Sequence, residues 1–290
     1  MTSTVDVARL YDGLVEYEVR RLAEHPMERE LTFCSIQDGL AAKSSNSKKR
    51  IADVGGGPGC IAFRLADAGH VVDLRDLTPG LIEAAKSEQA KRVEKGSATL
   101  ASLEIGNALD QSSLALNPSS YDAVLLLGPL YHIMEEDERV VAVDNALNLA
   151  ADDGGLVYCA FISVAAHLRD VAVRDPSRLV IESGFYASYL NTGKYEKYKK
   201  EDDVHVQSFH THAADVREFF RKHFSTKAEL IELRATEGIL GGGLDAKLEA
   251  AGTETVNKWA RLMYEQFSTA EEYLGCADHL LAVIKKKTTN

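Results

Sequence analysis

Apolar positions in the first forty residues recur at the spacing of amphipathic helices. Between residues 6 and 41, side chains such as Val7 and Leu10 fall three or four positions apart, and Pro26 interrupts the series. The pattern predicts two helices at the amino terminus. A polar linker follows, over residues 44–50.

Beyond this linker, short apolar runs alternate with helical stretches. The runs read IADV, HVVDLRD, SLEIGNA, YDAVLLLG and GGLVYCAFI, and the intervening sequence predicts helices over Ile61–Ala68, Pro79–Lys95 and Glu136–Ala150. Such alternation is typical of parallel strands joined by right-handed helical crossovers. We therefore expect an α/β fold with a doubly wound, Rossmann-like sheet, which binds its ligand at the carboxyl ends of the strands.

The alternation stops near residue 163, and a long tyrosine-bearing insertion begins there. Its length predicts a lid over the site, because simple connections within a domain are much shorter. A helix over Ala213–His223 follows, and KAELIELRA, a helix over Glu254–Phe267 and HLLAVIKK are expected to add an antiparallel pair at the sheet edge. The predicted division is a helical cap, a cofactor-binding core, a lid and a C-terminal completion of the sheet, over residues 1–49, 50–162, 163–212 and 213–290.

Composition narrows the class of protein. The chain has 290 residues, 45% of them hydrophobic, which is enough for a sizeable core. A net charge of −11 argues against nucleic-acid binding, which needs a basic surface. No apolar run reaches the length of about 18 residues expected of a membrane span, and the start of the sequence lacks the pattern of a secretory signal. These features predict a cytoplasmic protein that binds neither nucleic acid nor membrane.

The cysteines and the histidine-rich segment do not predict a metal site. The four cysteines are far apart and are expected to be free thiols: Cys34, Cys60, Cys159 and Cys276. In the segment DVHVQSFHTH, His210 and His212 have no carboxylate or cysteine beside them to complete a metal site. We therefore expect no metal ion.

The stretch ADVGGGPG, Ala52–Gly59, places glycines where a strand meets a helix. Such a turn exposes backbone N–H groups and lets a ligand approach them closely, while Pro58 suits the first helical turn. A dinucleotide site would require Gly or Ala where Cys60 stands, and Asp53 would repel a pyrophosphate. An acid here suits S-adenosylmethionine, which carries an ammonium and a sulfonium group.

The ends of the next two strands supply further candidate ligand groups. Asp76 lies about 20 residues after the glycines, where a carboxylate accepts hydrogen bonds from a ribose diol. The third strand ends at Asn107 and Ala108, whose side-chain carbonyl and backbone N–H suit the edge of an adenine ring. An acid after a strand is alternatively a helix cap, but the order and spacing of these elements favour a nucleoside site.

The motifs ADVGGGPG, LRDLTPGLIEAAK, GNALD and LLLGPLYHI resemble those of class I S-adenosylmethionine-dependent methyltransferases, especially bacterial-type enzymes acting on small molecules. The likeness extends over almost the whole chain. It implies a seven-stranded sheet with a reversed final strand and a substrate bound under a cap. Asn107 departs from the family, which commonly has Asp there. The cofactor-binding residues predicted from the residues and the resemblance together are Tyr11, Asp53, Gly55, Gly57, Gly59, Asp76, Leu77, Asn107, Ala108, Leu127 and Gly128.

Methyl transfer from a sulfonium requires a positioned nucleophile and, where a proton must leave, a base. Tyr131 and His132 in LGPLYHI follow the fourth strand, and we predict both as catalytic-site residues. His132 is the predicted base, and Tyr131 either walls the substrate pocket or bonds the substrate. The alternative is that His132 caps the next helix or bonds a carbonyl. Tyr186, His210 and His212 are further candidates for substrate contact.

The sequence as a whole predicts a methyltransferase that moves a methyl group from S-adenosylmethionine to O, N or S of a small metabolite and releases S-adenosylhomocysteine. Two alternatives stay open. One is a non-catalytic or regulatory protein of the same fold, and the other is an NAD(P)-dependent oxidoreductase. The sequence specifies neither the acceptor nor the oligomeric state.

Overall fold

The amino-terminal region folds as helices that lie against the sheet. A computed structural model describes residues 4–43, 48–199 and 204–288. Within that part, the region forms three helices rather than the two predicted: α1 (Thr4–Asp12), α2 (Val15–Glu24) and α3 (Pro26–Ala42). The extra break follows from Gly13, because glycine is unfavourable inside a helix, and Leu14 N–H closes a turn on Tyr11 O at 3.0 Å.

The predicted alternation of strands and helices is confirmed. The strands are β1 (Arg50–Val54), β2 (Val71–Asp76), β3 (Ser102–Ile105), β4 (Ala123–Leu126) and β5 (Leu156–Ser163). The connecting helices are α4 (Cys60–Asp67), α5 (Pro79–Glu94), α6 (Gln111–Leu114) and α7 (Glu136–Leu149). These strands are parallel in the order β3-β2-β1-β4-β5, so their order reverses beside β1. Ligands of such sheets bind at this reversal, beyond the carboxyl ends of the strands.

The insertion supplies three helices and a hairpin: α8 (Val164–Arg174), α9 (Arg178–Ile181), α10 (Ser183–Thr192), β6 (Lys194–Lys199) and β7 (Val204–Thr211). β7 pairs with the end of β5, through Ile162 with His210 and Ser163 with Thr211. At Ile162 the other edge of β5 is occupied by the chain's last strand. β7 therefore lies on the β4 side of β5, beyond the point where β4 ends, and the hairpin extends over the carboxyl edge of the sheet.

The C-terminal region completes the sheet as predicted. It contains α11 (Ala213–Phe224), β8 (Ala228–Ala235), α12 (Ala246–Glu249), α13 (Thr253–Leu262), α14 (Glu271–Leu274) and β9 (His279–Lys286). β9 lies antiparallel between β5 and β8, which gives seven core strands with one reversed in the described part of the chain. The helix predicted over Glu254–Phe267 ends earlier, at Leu262, and a wider π turn continues to Phe267.

Two apolar layers cover the sheet. On one face, the buried side chains of α7 and α11 pack against the strands, and on the other face those of α3, α4 and α5 do so. This packing leaves the carboxyl edge of the sheet for the loops. None of the described helices is long and apolar enough to cross a membrane.

Candidate functional site

The glycine turn after β1 is fixed by hydrogen bonds to β2. The N–H groups of Gly55 and Gly56 donate to Arg75 O at 2.7 and 3.2 Å. Gly55, Gly57 and Gly59 have φ angles of +76°, +56° and +86°, which favour glycine. The sequence predicted Pro58 in the first turn of the helix. Instead, α4 begins at Cys60 after a left-handed Gly59, and Pro58 lies in the preceding turn.

Close packing also requires glycine at position 56. A Cβ atom added to Gly56 would lie 2.5 Å from Asp53 Oδ2, and one added to Gly55 would lie 2.4 Å from the ring of Pro129. Gly56 lies inside the motif ADVGGGPG but was not among the predicted cofactor residues. Its part is to leave room for the Asp53 carboxyl group.

The carboxyl group of Asp76 is held by the backbone on both sides. Gly57 N–H donates to its Oδ2 and Thr78 N–H donates to its Oδ1, both at 2.8 Å. Burial raises the pKa of Asp76 despite these bonds. Asp76 thus joins the glycine turn to the start of α5, and it lies at the sheet edge where a ribose would bind.

Asp53 is a buried acid with an unsatisfied oxygen. It is 1% exposed, and none of the described residues donates a hydrogen bond to its Oδ1. Burial, and then repulsion by Asp76, raises the pKa of Asp53 to about 7. An ammonium group would supply both the missing donors and the missing positive charge. The carboxyl group of Asp53 therefore fits the amino end of S-adenosylmethionine.

The loop after β3 is organised around Asn107. Its Oδ1 accepts a hydrogen bond from Leu109 N–H at 3.0 Å, and Ala108 O accepts one from Asn145 Nδ2 at 2.8 Å. Asp110 then caps α6. The predicted adenine contact of Asn107 would have to use the second lone pair of the same oxygen, because the first already fixes the loop.

The segment after β4 places the predicted base opposite the first helix. Pro129–His132 forms a short 3-10 turn, and His132 Nε2 lies 2.7 Å from Tyr11 OH. Its Nδ1 lies 3.5 Å from Gln207 O, and the ring of Tyr131 stands edge-on at 4.7 Å. His132 does not cap α7, which begins at Glu136 with Glu135 as its N-cap. Residues 121 positions apart thus meet over the end of β4.

These elements enclose one pocket. The predicted residues that line it are Tyr11, Asp53, Gly55, Gly57, Asp76, Leu77, Asn107, Ala108, Leu127, Gly128, Tyr131 and His132. Gly59 is not among its lining residues and shapes the turn instead. Sequence reasoning missed further lining residues, which include Glu18, Thr78, Leu81, Ile133 and Glu138. Thr78, Leu81 and Ile133 lie inside the motifs LRDLTPGLIEAAK and LLLGPLYHI, whereas Glu18 lies in none of the motifs quoted above.

The remaining predicted substrate residues lie elsewhere. His210 is 6% exposed, and its two ring nitrogens lie 2.7 Å from Tyr189 OH and from Ser208 Oγ. Burial lowers the pKa of His210 to about 3, so the ring is neutral. Tyr186 is buried in an aromatic cluster with His167. The structure therefore does not bring Tyr186, His210 and His212 into the cofactor pocket, and their contact with substrate stays a prediction.

A second group of polar residues meets at the start of β9. Potential ligand atoms of Glu28, Glu237 and His279 lie within 4.8 Å of one another. The Glu237 carboxylate accepts hydrogen bonds from the backbone N–H groups of Asp278 and His279, both at 3.0 Å, and from Thr236 Oγ1 at 2.9 Å. These bonds fix the end of β8 to the start of β9. The residues are distant in the sequence, and spacing gave no signal for the group.

Comparison with known proteins agrees with this geometry. Residues 52–158 match a family described as a methyltransferase domain. No curated protein matches the chain. Among solved structures, a Methanosarcina mazei S-adenosylmethionine-dependent methyltransferase is similar, with a TM-score of 0.54 and 15% identity, over 86% of this chain and 97% of the other.

Two further structures match over nearly the full length. The magnesium protoporphyrin IX methyltransferase of Synechocystis, with bound S-adenosylmethionine, has a TM-score of 0.53 and 14% identity over 98% of this chain and 97% of its own. A Haloferax volcanii methyltransferase in complex with the activator Trm112 has a TM-score of 0.52 and 15% identity, over 96% and 97%. Likeness at these identities shows a shared fold. It confirms the predicted fold, and the matched domain confirms the predicted enzyme class.

Proposed function

We propose that this chain, whose residues 52–158 form the methyltransferase domain of a class I S-adenosylmethionine-dependent enzyme, transfers a methyl group to O, N or S of a small molecule. The observation that carries the proposal is the shared pocket. Every predicted cofactor residue except Gly59 lines it, together with Tyr131 and His132. A cytoplasmic location, the division of the chain into cap, core, lid and C-terminal region, and the absence of a nucleic-acid partner stay predictions.

The cofactor would be held by groups at the ends of β1, β2 and β4. Asp53 would bind its ammonium group, Asp76 its ribose, and the backbone of Leu127 and Gly128 would lie beside its amino acid end. S-adenosylmethionine supplies a methyl group that its sulfonium already activates, so the chain has to position the acceptor and receive the acceptor's proton. α1, through Tyr11, would shield the pocket from water.

His132 is the proposed proton acceptor. Its Nε2 lies 2.7 Å from Tyr11 OH, so that nitrogen must exchange this hydrogen bond for one from the acceptor. The proton of an acceptor O–H, N–H or S–H group would then move to Nε2 as the new bond to carbon forms. Tyr131, whose ring stands against His132, would fix the imidazole and wall the acceptor side.

Binding and turnover test the proposal separately. Titration with S-adenosylhomocysteine and with NAD is expected to give binding of the former alone, and binding of NAD alone would overturn the proposed cofactor. A screen of small metabolites with isotopically labelled S-adenosylmethionine then identifies the acceptor. Binding without turnover of any acceptor would favour a non-catalytic protein.

The role of His132 is tested by His132→Asn, with His70→Asn as a matched control away from the pocket. We expect His132→Asn to lower kcat about 100-fold or more at saturating cofactor, as for loss of a general base, and to weaken cofactor binding only about fivefold through loss of the contact with Tyr11. Unchanged turnover would remove the assigned role and leave the methyltransferase assignment intact.

A further inference from the structure

A second cavity lies beyond the wall of the cofactor pocket. Its volume is about 590 Å³, within the range of small-molecule sites. It opens between the base of the β6–β7 hairpin and the first turns of α7 and α11. Ile133 and Glu138 line the cofactor pocket, whereas Met134 and Arg139, their neighbours in the chain, line this cavity. One segment therefore separates the two spaces.

Arg139 is a buried cation in the wall of this cavity. It is 4% exposed, its guanidinium stacks on the ring of Phe209 at 3.6 Å, and its Nη1 donates a hydrogen bond to Ile133 O at 2.7 Å. The described residues offer no hydrogen-bond acceptor to Nε and Nη2, and neither nitrogen is sealed from solvent. These two nitrogens form one edge of the planar guanidinium, the edge that binds carboxylates and phosphates with two parallel hydrogen bonds.

The acids around the cavity lie on its rim, and Glu135, Glu136 and Glu218 have other partners. Lys194 Nζ lies 2.7 Å from Glu135 Oε1, and Lys222 Nζ lies 2.7 Å from Glu136 Oε1. Glu135 and Glu136 are 57% and 46% exposed at their side chains; their charges act to raise the pKa of Arg139, but neither forms a salt bridge with it. Two further rim acids, Asp215 and Glu218, are exposed on α11.

The interior of the cavity is otherwise uncharged. Its wall is formed by the half-buried Phe209, by buried Thr211 and by the buried, neutral ring of His210. Burial lowers the pKa of Arg139 to about 10, which reflects a guanidinium that has lost water without gaining a carboxylate in hydrogen-bond contact. An anionic ligand group would restore both the lost hydrogen bonds and the balance of charge.

We infer that this cavity binds a small molecule through an oxyanion, either a carboxylate or a phosphoryl group, which accepts hydrogen bonds from Nε and Nη2 of Arg139. The ring of Phe209 stacks against the guanidinium and fixes its plane, so the Nε–Nη2 edge is already oriented before a ligand binds. The inference concerns binding alone and does not depend on the proposed methyl transfer.

The test compares the wild-type protein with Arg139→Lys, which keeps the positive charge and removes the pair of parallel N–H donors. Arg221→Lys is the matched control, because Arg221 is an exposed arginine of α11 that pairs with Glu218. Binding of inorganic phosphate and of acetate is followed by NMR at constant ionic strength, with S-adenosylhomocysteine present, and chloride is the reference anion. Thermal melting establishes that each variant folds.

The expected result is saturable binding of phosphate or acetate to the wild type and to Arg221→Lys, weakened about tenfold or more in Arg139→Lys. S-adenosylhomocysteine affinity should be the same in all three proteins, which separates this inference from the cofactor assignment. The absence of saturable anion binding to the wild type, or equal binding to a folded Arg139→Lys, would overturn the inference.

Steady-state kinetics distinguishes the two sources of the anion once an acceptor is known. Competition between phosphate or acetate and the acceptor would show that the anionic group belongs to the acceptor. A change in rate without competition would show a separate ligand. Either effect of the anion supports the site at Arg139 if the effect is lost in Arg139→Lys.

Discussion

At the scale of single residues, the buried carboxyl group of Asp53 links cofactor binding to pH. Its pKa is raised to about 7, because burial disfavours the charged form and Asp76 repels it. A cationic ligand binds the ionised form. Below about pH 7 the acid must therefore lose a proton before the ligand's ammonium group can bind.

We predict that the affinity for S-adenosylhomocysteine rises with pH between about pH 6 and pH 7. Asp53→Asn should remove this part of the pH dependence and weaken binding about 10- to 100-fold, since a charge-assisted hydrogen bond is lost. Isothermal titration calorimetry across this range measures both effects. Asp67→Asn removes an acid on the exposed end of α4 and should retain wild-type behaviour. The same slope in Asp53→Asn and in the wild type would contradict the assignment.

A second prediction concerns the contact between Tyr11 and His132. Tyr11→Phe deletes one hydrogen bond of 2.7 Å between α1 and the segment after β4. The loss of about 1 kcal/mol should make S-adenosylhomocysteine dissociate roughly fivefold faster. Stopped-flow fluorescence gives the rate. Tyr17→Phe, a change at a tyrosine that is 45% exposed on α2, serves as the control. A rate unchanged by Tyr11→Phe would show that α1 does not retain the ligand.

At the scale of elements, the strands and crossover helices of the core were predictable. The spacing of apolar residues changes from two residues in strands to 3.6 residues in helices, and this change is a strong local signal. The break at Gly13 was missed, since one glycine weighs little against the surrounding helical pattern. The lid was predicted by its length, but the β6–β7 hairpin within it was not. The strand Lys194–Lys199 reads KYEKYK and is largely exposed. Its many charged residues therefore do not give the alternation of apolar and polar residues that identifies a strand with one buried face.

The glycine turn gives a prediction at this scale. Gly56→Ala would bring a methyl group to 2.5 Å from Asp53 Oδ2 and should weaken S-adenosylhomocysteine binding at least about tenfold by displacing the carboxyl group. Gly69→Ala is the matched control, with a φ of +94° and no atom within 4 Å of the added Cβ. It should lower the free energy of unfolding by about 1 kcal/mol and leave binding unchanged. Equal binding by the two variants would show that Gly56 does not protect Asp53.

At the scale of the whole molecule, contacts between distant segments set the stability. Asp245 accepts a hydrogen bond from Met27 N–H at 3.1 Å and fastens the loop after β8 to α3. Burial raises its pKa to about 6. Because the unfolded chain loses this proton at lower pH, the free energy of unfolding must fall as pH rises from about 4 to 6.

We predict that Asp245→Asn flattens this part of the pH profile by roughly 1–3 kcal/mol, as measured by urea unfolding. The decline that continues to about pH 7 belongs to Asp53 and should persist in the variant. Asp137→Asn, at an exposed position of α7, is the control and should leave the profile as in the wild type. A profile in Asp245→Asn that matches the wild type would show that this acid does not set the slope.

The long-range contacts are also what sequence reasoning could not supply. The pocket residues of the core follow strands one after another, so their meeting at one edge follows from the parallel topology. The cavity at Arg139 depends on how a helix, a hairpin and a loop pack, and arginine in the first turn of a helix gives no sign of burial. The same holds for Glu237 and His279, which lie 42 positions apart.

The β6–β7 hairpin pairs with the core sheet at Ile162 and Ser163 of β5, whereas the predicted cofactor residues, apart from Tyr11 of α1, belong to the strands and loops of the core. The proposed donor site and the hairpin thus occupy separate stretches of the gene. We expect that exchanging the hairpin between homologous chains changes the cavity at Arg139 and leaves donor binding intact, because its described residues line that cavity and not the cofactor pocket.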